Sequence, residues 1–133
     1  MVCIYCGNKT KVTNSRGSHK SRSTWRRRQC LGCKAIVSTR ERVDLEEAIR
    51  VQTASGLLKP FLRDKLFLSL TSSLSHRKTA QSDATELTDT IIGQLATLHS
   101  NGVLDVAALT EAASNTLARF DNAAEVYYRA HYC

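Results

Sequence analysis

Apolar positions divide this chain into two stretches with different periods. In residues 1–42 the apolar side chains are few and stand singly or in short runs, such as the one at 35–37. After about Val43 they recur every three or four positions, which is typical of helices with one buried side. The pattern predicts an α+β chain, with a small strand domain at residues 1–42 and a mostly helical domain at residues 43–133.

In the first stretch, three short strands are predicted at residues 11–13, 24–29 and 35–39. Residues 14–23 are rich in Ser, Gly, Lys and Arg, which predicts a flexible turn. The 23 residues between Cys6 and Cys30 leave room for two short hairpins. So few apolar side chains cannot form a core of their own, and the domain needs another source of folding free energy.

In the second stretch, short strands are predicted at 43–45 and 48–51, with a hairpin turn at 53–56. About four helices follow. The first runs from Pro60 to about residue 75, and the second from Ser82 or Asp83 to about Ser100. Asp105 is predicted to cap a third helix that ends near residue 120, and Asp121 a fourth over residues 122–132.

Two CxxC pairs are the most specific chemical signal in the chain, Cys3 with Cys6 and Cys30 with Cys33. Each pair offers two thiolates from one tight turn, and four thiolates complete the tetrahedral shell that Zn²⁺ prefers. A glycine accompanies each turn, Gly7 after the first pair and Gly32 inside the second. The pairs predict one structural zinc ion, which contributes on the order of 10 kcal/mol to folding.

Other uses of these cysteines are less favoured. Two disulfides are the first alternative, but no signal peptide is evident before Cys3, so we expect a reducing cytosol. A redox dithiol would stand in a βαβ pattern, which is missing here. His19 could replace one ligand, although four cysteines already fill the shell. Cys133 is expected to be an idle thiol near a frayed end.

Charge is distributed unevenly along the chain, whose formal net charge is +7. Residues 1–42 hold eleven Lys and Arg against one acid, Glu41, whereas residues 43–133 hold eight against eleven acids. Such asymmetry indicates a first domain that binds a polyanion. No apolar run approaches 18 residues, so no membrane partner is expected.

The run at residues 25–28 is the main candidate for contact with nucleic acid. On a strand, Arg26 and Arg28 face one side and Arg27 the other. Arginine binds phosphates or guanine edges, and Trp25 can stack on a base or a sugar. Further cations are predicted to contact phosphates: Arg16, Lys20, Arg22, Lys34, Arg40 and Arg42. The alternative is a solvated basic surface.

These motifs resemble those of the bacterial repressors of ribonucleotide reductase genes, the NrdR family. That family begins with CxxCG, then D-S-R, an arginine run, a second CxxC and R-F-T-T-Y-E-R. The matching residues here are the four cysteines with Gly7, Asn14–Ser15–Arg16, Arg26–Arg27–Arg28, and Thr39, Glu41 and Arg42. The second domain is similar to the family's ATP-cone, through Gly56, Pro60, Phe61, Lys65 and Leu66, and through Asp121, Ala124, Val126 and Tyr132.

The resemblance implies a zinc ribbon that binds double-stranded promoter DNA, with Thr39 among the contacts, and an ATP-cone that senses ATP or dATP. The nucleotide ligands it implies are Arg50, Val51, Lys59, Arg63 and Lys65. It further implies a homo-oligomer whose size depends on nucleotide, acting in the bacterial cytoplasm at the nucleoid, and no enzymatic activity.

The second domain departs from the family pattern in ways that bear on nucleotide binding. Arg50 is the single charged residue in the segment 50–55, and Leu62 stands where the family has an acid. Weak binding, binding of a different nucleotide and loss of binding are all compatible with these changes.

Two other classes of function were weighed. A zinc ribbon that binds RNA or the ribosome, joined to a helical interaction domain, explains the basic first domain equally well. An enzyme is disfavoured, because the sequence has no P-loop and no paired carboxylates or Cys/His nucleophile at a catalytic spacing.

Overall fold

A computed structural model of the chain describes residues 1–20, 22–99 and 101–133. It contains two compact units, Met1–Val43 and Asp44–Cys133. The first consists of strands and turns, and the second of a small sheet with helices. The predicted α+β class is confirmed. No helix in the described part of the chain is long and apolar enough to cross a membrane.

The first unit is built around an antiparallel sheet of three strands in the order β1–β2–β3. Strand β1 spans Thr10–Ser18, β2 spans Ser23–Cys30 and β3 spans Ile36–Arg42. The three predicted strands are present, but the prediction of a turn at residues 14–23 was wrong. Residues 14–18 continue β1, because pairing with β2 satisfies their backbone groups and a sheet exposed on both faces accepts polar side chains.

The segment between the two cysteine pairs therefore holds one long hairpin and not two short ones. Ser21, part of the predicted turn, lies outside the described residues. The hairpin contains one irregularity, a bulge at Thr13, which has no partner in β2 between the pairs Val12–Arg28 and Asn14–Arg27. The hydroxyl of Thr13 donates to the carbonyl oxygen of Arg27 at 3.1 Å and so holds the bulge in place.

The second unit contains a three-stranded sheet in the order β5–β4–β6. Strands β4 (Arg50–Gln52) and β5 (Leu58–Pro60) form the predicted hairpin, whose turn uses a positive φ of 83° at Gly56. Strand β6 (Val103–Asp105) was not predicted. It is three residues long and lies parallel to β4. Its strand conformation depends on pairing with residues some fifty positions earlier in the chain, which a local sequence pattern does not reveal.

The described residues of this unit also form five helices: α1 Leu45–Ala48, α2 Arg63–Ser73, α3 Ala80–Leu98, α4 Val106–Phe120 and α5 Asn122–Tyr132. The predicted strand at 43–45 was wrong, because Asp44 accepts hydrogen bonds from the amides of Glu46 and Glu47 and starts α1. Helix α3 begins two residues before Ser82, which does not cap it. Its predicted end, Ser100, lies outside the described residues.

The core of the second unit lies between the helices and one face of the sheet. Its fully buried side chains include Phe61, Leu70, Ile91, Leu104 and Leu117. The helical periodicity identified the inner positions of α2, α3 and α4, although Leu62 and Leu68 of the predicted α2 stripe are exposed. In contrast, the buried residues of the described part of the first unit are Cys3, Ser23 and Cys30 alone.

Asp105 and Asp121 cap α4 and α5, as predicted. Asp105 accepts a hydrogen bond from the amide of Ala107 at 2.7 Å, and Asp121 accepts one from Ala124 at 3.0 Å. Asp121 also contacts His76 Nε2 at 3.0 Å and Arg77 Nη1 at 3.1 Å, both from the segment between α2 and α3. The Ala124 amide first, then His76 and Arg77, lower the pKa of the Asp121 carboxyl to about 2.

We expect Asp121→Ala to destabilise the second unit more than Asp105→Ala does. Both substitutions remove a cap, at about 1 kcal/mol, but only the first also removes the carboxylate that contacts His76 and Arg77, of which Arg77 keeps its ion pair with Asp83. Because the pKa of Asp121 is lowered by folding, its contribution is complete above its unfolded pKa near 4 and is lost as the pH falls towards 2.

Urea unfolding at several pH values measures both effects. The parent protein should lose stability between pH 4 and 2, and Asp121→Ala should lose less over this interval. Equal losses in the two proteins would show that the Asp121 cluster does not contribute to acid sensitivity. Asp105→Ala is the matched control, since it removes the cap of α4 but keeps the contacts of Asp121 with His76 and Arg77.

Candidate metal centre and nucleic-acid interface

The four cysteine sulfurs of the two CxxC pairs lie together in the first unit. All four are within 4.8 Å of one another. The closest contacts join one pair to the other, Cys3 Sγ to Cys33 Sγ at 3.7 Å and Cys6 Sγ to Cys30 Sγ at 3.4 Å. These separations exclude disulfides, in which the sulfurs are about 2.05 Å apart. They lie just below the value of about 3.8 Å expected for two ligands of one tetrahedral Zn²⁺ with bonds of about 2.3 Å.

The two CxxC turns have the same backbone plan. The amide of Cys3 donates to the carbonyl of Asn8, and the amide of Cys30 donates to Ala35, five residues on in each case. The residue after the second cysteine has a positive φ in both turns, 71° at Gly7 and 64° at Lys34. Lys34 thus stands at the position equivalent to Gly7. The glycine of the second turn, Gly32, does not occupy the position with positive φ, contrary to the prediction.

Gly32 is required for a different reason. A Cβ at this position would collide with the side chain of Asn8. The Asn8 amide nitrogen lies 3.4 Å from Cys6 Sγ and donates to it. The absence of a side chain at residue 32 therefore lets a residue of the first turn pack against the second and hydrogen-bond a sulfur. Asn8 was not among the predicted functional residues, and its position two residues after Cys6 is the one signal in the sequence that points to it.

Hydrogen bonds and crowding shift the pKa values of Cys3, Cys6 and Cys33. The Asn8 backbone amide, followed by Cys30 and the Asn8 side chain, lowers the pKa of Cys6 to about 6. The Tyr5 amide, 3.4 Å from Cys3 Sγ, lowers the pKa of Cys3. The Ala35 amide also acts to lower that of Cys33, but the neighbouring Cys6 sulfur, burial and the other sulfurs outweigh it and raise the pKa to about 11.

Four sulfurs at this separation cannot all be thiolates unless a cation offsets their charge. A divalent ion that prefers sulfur and tetrahedral geometry satisfies this requirement, and Zn²⁺ fits it. The cluster consists of the four cysteines, and no described histidine joins it, so the alternative ligand His19 is not part of it. The cysteines are positioned to bind one zinc ion.

Most of the predicted nucleic-acid contacts lie on the three strands of the first unit, whereas Lys20, Arg22 and Lys34 lie outside them. Strand pairing places Arg16 and Arg40 on either side of Trp25, Asn14 and Ser38 on either side of Arg27, and Thr39 beside Arg26. Within the sheet, Arg26 Nη1 forms an ion pair with Glu41 at 2.8 Å, and Arg28 Nε donates to the hydroxyl of Thr39 at 3.3 Å. Arg16, Arg27, Arg40 and Arg42 are exposed.

The predicted nucleotide ligands fall into two groups in the second unit. Val51 and Lys59 are paired neighbours on β4 and β5, and they share the face that carries the buried Leu104. Arg50 lies on the opposite face, where its guanidinium donates to the carbonyl of Glu46 at 2.7 Å.

At the start of α2, the two remaining predicted ligands differ in their contacts. Arg63 forms an ion pair with Asp89 of α3 at 2.9 Å. Lys65 is exposed, and its side chain makes no hydrogen bond or ion pair with any described residue. No side chain caps this helix, so its first amides are open to an external acceptor.

Comparison with known proteins places both units in one family. The family described as "Transcriptional repressor NrdR-like, N-terminal domain" matches residues 1–41. The "Transcriptional repressor NrdR" of Phenylobacterium zucineum is 33% identical over 133 residues, covering 99% of this chain and 84% of that protein. The protein of the same name in Ruegeria pomeroyi is 34% identical, and the match covers 99% of this chain and 84% of that protein. The one in Methylacidiphilum infernorum is 30% identical, and the match covers 100% of this chain and 80% of that protein.

These relatives are named as repressors, a regulatory and non-enzymatic role, which agrees with the prediction that the chain is not an enzyme. The four clustered cysteines, the matched N-terminal region and identities of 30% to 34% over nearly the whole chain lead to one conclusion: this chain belongs to the NrdR family of transcriptional repressors.

Proposed function

We propose that this protein is a zinc-dependent transcriptional repressor that binds promoter DNA through residues 1–42 and senses ATP or dATP through residues 43–133. The observation that carries the proposal is the cluster of four cysteine sulfurs that closes a sheet rich in arginine. By the family resemblance, its targets are promoters of ribonucleotide reductase genes, on the bacterial nucleoid in the cytoplasm.

Zinc has a structural role in this proposal. The four cysteines Cys3, Cys6, Cys30 and Cys33 hold the ion, which supplies the folding free energy that the nearly coreless first unit lacks. A fixed sheet presents its cations in a fixed arrangement, so their side chains bind phosphates without first ordering the backbone.

DNA binding is supported by the charge of the first unit. Its Lys and Arg residues outnumber its acids eleven to one, and four thiolates with Zn²⁺ reduce this excess by only two charges. The proposed contacts are Arg16, Trp25, Arg26, Arg27, Arg28, Thr39, Arg40 and Arg42. Contacts to phosphate supply affinity and make it dependent on salt, and contacts to base edges supply specificity.

Nucleotide sensing is supported by the start of α2. Lys65 is free of partners among the described residues, and the open amides of the helix N-terminus favour an anion such as a phosphate. Val51 and Lys59 stand on one face of the β4–β5 hairpin, and we propose them as further ligands. Arg50, on the opposite face, and Arg63 are proposed as ligands on the family resemblance alone. ATP or dATP then changes the assembly of the homo-oligomer only as far as it binds one assembly more tightly than another.

The test combines light scattering with a gel-shift assay. Oligomer size is measured without nucleotide, with ATP and with dATP, and the same samples are titrated with duplexes from the organism's own ribonucleotide reductase promoters. We expect a change in size with nucleotide and retardation of duplex DNA. Preference for a structured RNA of equal length would instead support an RNA- or ribosome-binding zinc ribbon.

Lys65→Ala should weaken ATP binding by roughly ten- to a hundredfold, because a bond between a charged donor and a phosphate contributes about 1.5–3 kcal/mol. Isothermal titration calorimetry measures the change. Lys78→Ala is the matched control, since Lys78 is an exposed lysine of the same unit without a described partner. Identical titration curves for Lys65→Ala and the parent protein would remove Lys65 from the site.

A further inference from the structure

We propose that the DNA duplex is contacted by one face of the β1–β2–β3 sheet, and that Arg26 and Arg28, on the other face, hold the sheet together. We call the face that contacts the duplex the cationic face. It is formed by Lys11, Arg16, Trp25, Arg27, Arg40 and Arg42. The inference rests on the proposed DNA binding and specifies which side of the first unit meets the duplex. It narrows the proposed contacts to the cationic face, so Arg26, Arg28 and Thr39 are removed from them.

The strand register assigns residues to the two faces. Side chains alternate along β2, so Trp25 and Arg27 share one face while Arg26 and Arg28 share the other. Residues directly opposite in neighbouring strands lie on the same face. The cationic face therefore has the rows Arg16–Trp25–Arg40, Asn14–Arg27–Ser38 and Lys11–Gln29–Ile36, and Arg42 opposite Ser23.

The bulge at Thr13 is what brings Lys11 and Arg16 to the same face. These residues are five positions apart, so simple alternation would place them on opposite faces. One unpaired residue between Val12 and Asn14 shifts the alternation, and Lys11, Asn14 and Arg16 all come to lie with Trp25 and Arg27. The Thr13 hydroxyl, bonded to the Arg27 carbonyl, fixes this arrangement.

The two faces differ in charge. The cationic face carries one lysine and four arginines and, among its paired residues, no acid. The opposite face carries Arg26, Arg28 and Glu41, a net charge of +1, together with Val12 and Val37. A polyanion is attracted to the first face far more strongly than to the second.

The cations of the two faces also differ in their contacts. Arg26 is paired with Glu41, and Arg28 donates to Thr39. The side chains of Lys11, Arg16, Arg27 and Arg40 make no hydrogen bond or ion pair with any residue in the described part of the chain. Their donors are available to phosphate oxygens without the loss of an internal bond.

The width of the sheet suits a duplex. Neighbouring strands lie about 4.8 Å apart, so Arg16 on β1 and Arg40 on β3 project from backbones separated by about 10 Å. The major groove of B-DNA is about 12 Å wide. With Arg16 and Arg40 on the phosphates at its two sides, Arg27 of the central strand faces the groove itself.

Two double substitutions of equal charge test the assignment, Arg16→Gln with Arg40→Gln on the cationic face and Arg26→Gln with Arg28→Gln on the opposite face. Glutamine keeps much of the aliphatic stem and so preserves packing. Affinity is measured over a range of salt concentrations, with the promoter duplex that the full-length parent protein retards most strongly. Zinc content and circular dichroism verify folding, and if a pair unfolds, its single variants replace it.

We expect the Arg16/Arg40 pair to weaken binding by at least tenfold and to reduce the slope of log affinity against log salt by about 1.8, since two phosphate contacts are lost. The Arg26/Arg28 pair should change the slope by much less. Equal reductions, or a larger one for Arg26/Arg28, would overturn the face assignment while leaving DNA binding intact. A parent protein that binds no duplex would instead refute the proposed function.

Discussion

Cys30→Ser is expected to release zinc, unfold the first unit and abolish DNA binding, while the helices of the second unit remain. Cys30 is 1% exposed, and the described first unit buries only Cys3 and Ser23 besides it. No apolar core remains to hold the sheet once the metal is lost. Structural zinc contributes about 10–16 kcal/mol in small zinc domains, which matches or exceeds the whole stability of an ordinary domain.

Three measurements follow the effect of this substitution. Elemental analysis should show about one zinc per parent chain and much less in the variant, the gel shift should disappear, and most of the helical circular dichroism should persist. Cys133→Ser is the matched control, because Cys133 is exposed and outside the sulfur cluster. Undiminished zinc in Cys30→Ser would disprove the ligand assignment.

Phe61→Ala is expected to destabilise the second unit by about 3–5 kcal/mol, the cost of removing a buried aromatic side chain and leaving a cavity. Phe61 is 1% exposed and packs in the core cluster between the sheet and the helices. Its amide also donates to the carbonyl of Ile49 at 3.1 Å, which connects the end of β5 to the segment before β4. A loss of this size is a large part of the stability of a small domain.

Urea unfolding followed by helical circular dichroism measures this loss. Zinc content should not change, since the first unit folds around its own ion. Leu68→Ala provides the comparison, because Leu68 is 62% exposed on α2 and its truncation should alter the free energy of unfolding by no more than about 0.5 kcal/mol. Similar midpoints for Phe61→Ala and Leu68→Ala would show that Phe61 is not a core residue.

If the face assignment holds, the arginine run has two functions. Arg27 binds the duplex, and its neighbours Arg26 and Arg28 bind Glu41 and Thr39 within the sheet. A basic motif in a strand then cannot be treated as a single binding element, because alternate residues meet different surroundings. Substituting the whole run would combine loss of DNA contacts with loss of internal ones.

Local chemistry was sufficient to predict much of this protein. The two CxxC pairs predicted the sulfur cluster, because two ligands from one tight turn need no distant partner to be recognised. Asp105 and Asp121 marked the starts of α4 and α5, because a cap bonds to amides only two or three residues away. The period of the apolar residues marked the core positions of the long helices for the same reason.

Other features depended on partners far away in the chain. The polar segment at residues 14–18 is a strand only because β2 pairs with it, and β6 exists only beside β4. The bulge at Thr13 leaves no local signal, yet it decides that Lys11 and Arg16 share a face. The sequence by itself determined the metal ligands and the excess of cations, which depend on residue type and short spacing. Only the tertiary structure decided which cations stand together, because a register shift of one residue reverses the face of every side chain beyond it.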